Sequence, residues 1–216
     1  MNFTRVALQA AGPRLEALRE FYEERCGLAR IGEDNYDVGN AELAFTGTDA
    51  DAFYHFALLV PGDRFDAALE WAEAHVDVLP DGVYDFEDWD ARAFYFLDPA
   101  GNIVELVAHR GFGEAAATGL FEARELLGFS EVGLVGDPRE LAAALEQLDL
   151  RLWDGTLDEP NRLAFIGERA RTLILSQPGR GWLPTGRPAE PHAVDVVLTA
   201  PPRGDLTVGP HRIRRA

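Results

Sequence analysis

The sequence predicts an α+β fold built from repeated βαβββ units. Three observations predict it. The local order strand, helix, further strands recurs three times along the 216 residues. Apolar residues alternate singly before and after each helix and recur at three- and four-residue spacing within it. Gly, Pro, Asn and Asp gather at the joins, where turns need them.

The first unit covers residues 2–47. Phe3 to Gln9 alternates as a strand, and Gly12-Pro13 turns the chain into a helix over about Arg14 to Arg25. Leu15, Leu18, Phe21 and Tyr22 give that helix one apolar face, and Gly27 stops it. Strands fit Ala29–Ile31, Tyr36–Val38 and Glu42–Thr46. The second unit opens on the strand Phe53–Val60. Asp63 can cap a helix that buries Phe65, Leu69 and Ala72. A short strand Val76–Leu79 and a polar loop over 80–90 lead to strands Ala93–Leu97 and Ile103–Ala108. The turn Asp98-Pro99-Ala100-Gly101-Asn102 joins those two.

Residues 111–128 read as a linker with a short helix. The third unit has strand Glu131–Val135, helix Arg139–Leu148 and strands near Leu150–Trp153, Leu163–Ile166 and Thr172–Ser176. A Gly/Pro-rich segment then leads to strands Val194–Leu198 and Thr207–Ile213, which together resemble a hairpin. Within that segment, Gly179 to Thr185 reads as a crossing connection, with a lid or a docking segment as alternatives. One βαβββ unit has too little core to stand alone, so units must pair. The expected organisation is a paired domain over 1–110, the linker, and a third, degenerate unit with the C-terminal strands over 129–216. The third unit needs cover from the tail, from the first two units or from another chain, as in a homodimer.

Composition narrows the function. At 47% hydrophobic the chain can bury a core. All 20 basic residues are arginine, and the formal net charge is −17. A dispersed acidic surface excludes nucleic acid and anionic membranes as expected partners. No apolar run approaches the roughly 20 residues that span a bilayer, and the first residues lack the layout of a signal peptide. The single cysteine, Cys26, rules out an internal disulfide framework and a thiolate zinc site. A cytoplasmic location is the expectation.

The segment Phe94-Tyr-Phe-Leu-Asp-Pro-Ala-Gly-Asn-Ile-Val-Glu-Leu-Val-Ala108 resembles the closing hairpin of vicinal oxygen chelate proteins, the superfamily of glyoxalase I, bleomycin resistance proteins and extradiol dioxygenases. Tyr54-His-Phe-Ala-Leu-Leu-Val60 resembles its unit-opening strand. The resemblance implies metal ligands on the opening and closing strands of paired units. Carried over by position, His55, Glu105 and Glu42 are the implied ligands of a divalent ion (Mn, Fe, Ni or Zn), with Glu105 and Glu42 also available as proton acceptors. Arg5 stands where a histidine is usual; a guanidinium cannot ligate, so Arg5 is expected to hold an anionic group of a small-molecule substrate or to pair with Glu105. Tyr95 is expected to line the cavity. Glu131 falls where His55 would in the third unit, and Leu173 where Glu105 would, so that unit reads as metal-free. The resemblance implies a metal-dependent lyase, isomerase or transferase acting on a small oxygen-rich molecule, or a metal-free binding protein of the bleomycin-resistance type.

Overall fold

The computed structural model describes residues 1–113, 117–159, 161–199 and 201–216, so part of the expected linker, 114–116, lies outside the described residues. The chain is α+β and mostly strand. The first unit consists of β1 (Asn2–Ala11), α1 (Gly12–Arg19, continued by a wider π turn over Glu20–Arg25), β2 (Asn35–Asp37) and β3 (Glu42–Thr48). Ala29–Ile31 contributes only one bridge, Arg30 to Tyr36. The second unit has β4 (His55–Val60), α2 (Phe65–His75), β5 (Tyr84–Phe86), β6 (Ala91–Leu97) and β7 (Ile103–His109). Arg64, not Asp63, sits at the start of α2. The third has β8 (Phe129–Val135), α3 (Pro138–Leu145), β9 (Leu152–Gly155), β10 (Ala164–Glu168) and β11 (Arg171–Ser176).

The tail differs from the expected hairpin. It holds three strands, β12 (Asp195–Thr199), β13 (Gly204–Val208) and β14 (His211–Arg215). Gly209 at φ +54° breaks the run that reads as one strand, so the hairpin lies between β13 and β14. β12 instead runs parallel to β14. The tail is thus a fourth unit that has lost its helix.

The units also pair differently from expectation. The first joins the tail in a six-stranded sheet, β13-β14-β12-β1-β3-β2. The second joins the third in an eight-stranded sheet, β5-β6-β7-β4-β8-β11-β10-β9. The physical reason lies in the opening strands. Every residue of β4 and of β8 is buried, so each needs a strand on both sides and cover on both faces. They supply each other's missing edge as an antiparallel pair, and β1 does the same with β12. One large apolar core joins the sheets and helices, and a smaller cluster (Phe53, Ala57, Tyr95, Ile103, Ile174, Trp182) fills the other face of the eight-stranded sheet.

That sheet curls until its two edges nearly meet. Trp89, just after β5, donates from Nε1 to Asp154 Oδ2 at 2.7 Å on β9. Its ring lies 5.0 Å from Trp153 and 4.5 Å from Phe165. Side chains, not backbone hydrogen bonds, close this side of the half-barrel.

Candidate metal centre in the eight-stranded sheet

The pairing of β4 with β8 decides the site. Ala57 faces Glu131 across that pair, and Ala57 faces Glu105 across the pair with β7. Directly opposed residues share a face. His55, two residues from Ala57, shares it too. His55, Glu105 and Glu131 therefore converge from three adjacent strands. One ligand atom from each lies within 4.8 Å of the others, and all three residues are buried. His55 Nε2 is 3.5 Å from Glu105 Oε2. Its other ring nitrogen, Nδ1, is 3.2 Å from the carbonyl oxygen of Ile103. A proton held there leaves Nε2 as the lone-pair nitrogen facing the carboxylates, the tautomer that ligation requires.

The electrostatics are those of an unneutralised buried site. Burial pushes the Glu131 carboxyl up to about 8. Burial, and then the neighbouring Glu131, hold Glu105 well above the usual carboxylate range, against the pull of a hydrogen bond from Tyr95. Burial pushes His55 down to about 4. Among the described residues no arginine pairs with either carboxylate. Two carboxyls and an imidazole placed this way are costly unless protonated or joined by a cation. A neutral imidazole and two carboxylates form a donor set suited to a divalent first-row ion.

The expected ligand Glu42 and the expected substrate contact Arg5 are elsewhere. Both are on the six-stranded sheet, opposite each other on β3 and β1. Arg5 Nε donates to Glu42 Oε1 at 3.2 Å, with both side chains partly exposed. They form an ion pair with each other and are not brought to His55. Tyr95 does reach the cluster, opposite Glu105 on β6. Glu131 is the residue that sequence reasoning set aside. Its signal was present, because Ser130-Glu-Val-Gly-Leu-Val135 repeats the pattern of Tyr54-His-Phe-Ala-Leu-Leu-Val60. The register supplies the rest. Phe56 and Val132 face each other at the centre of the β4–β8 pair. The local twofold there carries His55 onto Glu131. It also carries Glu105, opposite Ala57, onto Ile174, opposite Gly133. The fourth corner is thus Ile174, not Leu173 as expected from sequence.

The Gly179–Thr185 segment covers the site. The Trp182 ring lies 5.0 Å from His55 and is buried. Arg187 anchors one end, donating to the Gly101 carbonyl at 3.1 Å and stacking over Phe53. Arg180 anchors the other, donating to the Asn161 carbonyl at 3.0 Å. The half-open cavity beside Trp182 is about 80 Å³. Gly133 makes room for the indole: a Cβ there would lie 3.0 Å from Trp182 Cη2 and 3.1 Å from the His55 carbonyl oxygen. Gly133→Val is expected to push Trp182 outward, because the backbone of β4 cannot yield. A red-shifted tryptophan emission with greater iodide quenching would show it; an unchanged spectrum would refute the role given to Gly133.

No protein-family profile matches the chain, and no curated protein is similar to it in sequence. Solved structures are similar in fold. A "putative dioxygenase" from Bacillus subtilis subsp. subtilis str. 168 superposes with TM-score 0.59 at 13% identity, over 100% of this chain and 85% of its own. A variant of glyoxalase I from Zea mays gives TM-score 0.59 at 14% identity, over 99% of this chain and 93% of its own. Glyoxalase I from the same plant, in another structure, gives 0.54 at 15% identity, over 90% and 74%. With four strand units joined two by two through their opening strands, this chain has the fold shared by glyoxalase I from Zea mays and the putative dioxygenase from Bacillus subtilis.

Proposed function

We propose that this chain is a divalent-metal-dependent cytoplasmic enzyme of the lyase or isomerase type, acting on a small molecule with two adjacent oxygens. The observation that carries the reading is the convergence of His55, Glu105 and Glu131 within 4.8 Å in a buried pocket without an arginine partner. A bound ion would act there as a Lewis acid toward the two substrate oxygens. The chain's own residues do the remainder. His55, oriented by Ile103, and Glu105, fixed by the Tyr95 hydroxyl, would hold the ion. Glu131 has no hydrogen-bond partner among the described residues and is the freer carboxylate. It takes a proton from the carbon bearing the substrate hydroxyl and returns it to the neighbouring carbonyl carbon, while the hydroxyl proton passes to the carbonyl oxygen, so an α-hydroxy carbonyl compound isomerises with no atom gained or lost. Trp182 and Trp89 exclude water from the transfer.

Elemental analysis of the purified protein tests the reading. About one divalent ion per chain is expected, falling by about tenfold or more in occupancy in Glu131→Gln and His55→Ala. Wild-type protein that retains no ion after exposure to manganese, nickel, zinc or iron(II) would overturn it in favour of a metal-free binding protein.

A further inference from the structure

Resting on the metal-dependent reading above, a further question is which substrates the cavity admits. We propose that the site selects compact, hydrocarbon-bodied substrates carrying two adjacent oxygens and at most one negative charge, and rejects dicarboxylates and phosphorylated compounds.

Three observations point the same way. The first is the wall. Beyond the three ligand residues and Tyr95, the residues lining the cavity are apolar, chief among them Phe86, Trp89, Phe165, Ile174 and Trp182. Ile174 occupies the corner related to Glu105 by the local twofold, so the open side of the site faces hydrocarbon. A substrate leaves its body against that wall and its oxygens toward His55, Glu105 and Glu131.

The second is charge. Two carboxylates and a neutral imidazole already balance a divalent ion. A chelating monoanion leaves one net negative charge in the pocket. A second anionic group would be buried without compensation, at a cost that grows steeply away from water. No arginine is among the residues lining the cavity. Arg180, on the covering segment, bears a charge that reaches His55, but it is not a wall residue, and its Nε and Nη1 are held by the carbonyls of Asn161 and Gly181 at 3.0 and 2.9 Å. Arg5, the cation expected from sequence to grip an anionic group, is paired with Glu42 on the other sheet. The net charge of −17 also disfavours approach of multiply charged anions.

The third is size. A half-open cavity of about 80 Å³ beside Trp182 suits a compact molecule that seats its oxygens inside and its body against the rim, and does not enclose a long charged tail. A larger substrate would have to lift the segment held by Arg180 and Arg187.

The test compares probes on the manganese-loaded protein, read by quenching of tryptophan emission and by titration calorimetry, with bound manganese measured in the same samples. Tropolone has vicinal oxygens, one negative charge and a hydrocarbon ring. Oxalate has vicinal oxygens and a second charge, and phosphoglycolate adds a phosphate. Tropolone is expected to bind about tenfold or more tightly than either. Leu163→Arg, which places a cation on the cavity wall, is expected to narrow that gap to about threefold or less. Oxalate or phosphoglycolate binding as tightly as tropolone to the wild type overturns the proposal, as does the absence of binding by all three. Failure of the underlying reading is seen separately, as a lack of bound manganese. In that case the ranking of the same probes on the ion-free cavity still decides the selectivity.

Discussion

Replacing Asp98 by alanine is expected to destabilise the chain by about 3 kcal/mol or more, lowering the melting temperature by about 6–12 °C. Asp98 is buried in the turn between β6 and β7. One carboxylate oxygen accepts from the backbone N–H groups of Ala100 and Asn102 at 2.9 and 3.0 Å. The other accepts from Asn102 Nδ2 at 2.7 Å and from the Tyr22 hydroxyl at 2.8 Å. The alanine variant strands four donors, of which the Tyr22 hydroxyl comes from the helix of the first unit. Asn102 in turn accepts from the backbone N–H of Tyr54 at 2.8 Å, immediately before His55. The turn therefore fixes β4 against β7, and with them His55 against Glu105. Asp98→Asn preserves volume but aims an NH₂ group at donors, so it is expected to recover only part of the loss. Thermal or urea unfolding decides the matter. An Asp98→Ala chain as stable as the wild type would show that the turn holds without its carboxylate.

The second large effect is a stabilisation on replacing Glu131 that appears only as the pH rises. Its carboxyl sits at about 8 in the folded chain against an ordinary 4.5. A group raised on folding contributes stability that is fully present below 4.5 and is lost as the pH rises through 8. His55 and His109, both pushed down to about 4 by burial, act in the opposite sense. Their contribution is present above 6.5 and is lost as the pH falls through 4. The ion-free chain is thus squeezed from both sides. Glu131→Gln removes that residue's share of the alkaline loss and relieves Glu105 of its neighbouring charge. At pH 8 the ion-free variant is expected to melt on the order of 5 °C above the ion-free wild type, and at pH 4.5 the two should coincide. Manganese should raise the wild-type melting temperature increasingly from pH 5 to 8, because ionised carboxylates bind it, and should barely move the variant. Calorimetric melts at three pH values with and without manganese give the answer. A variant that melts lower than the wild type at pH 8 would mean that Glu131 is held by contacts the structure does not show.

These two residues also mark what could be read from the chain and what could not. The turn at Asp98 was legible because its information is local: Pro, Gly and Asn at fixed offsets have the dihedral freedom and side-chain bonding that such a turn demands. The same holds for the helices, whose apolar spacing is short-range, and for the class and repetition of the units. His55 and Glu105 were legible for a related reason, since each is a polar residue on an otherwise apolar strand. Glu131 was also visible as such a residue, but its meaning depended on which strand lay beside β8. Strand order within a sheet is set by which buried edges can satisfy one another, a competition among segments far apart in sequence. Alternation alone gives every opening strand the same appearance. Folding resolved that competition by pairing β4 with β8 and β1 with β12. That choice set Arg5 and Glu42 against each other on one sheet and brought the third carboxylate to His55 on the other. The sequence by itself determined the elements, their repetition and two of the three converging side chains; tertiary pairing decided the third, the apolar fourth corner and the tryptophan that covers them, because only the register between distant strands places side chains on a common face.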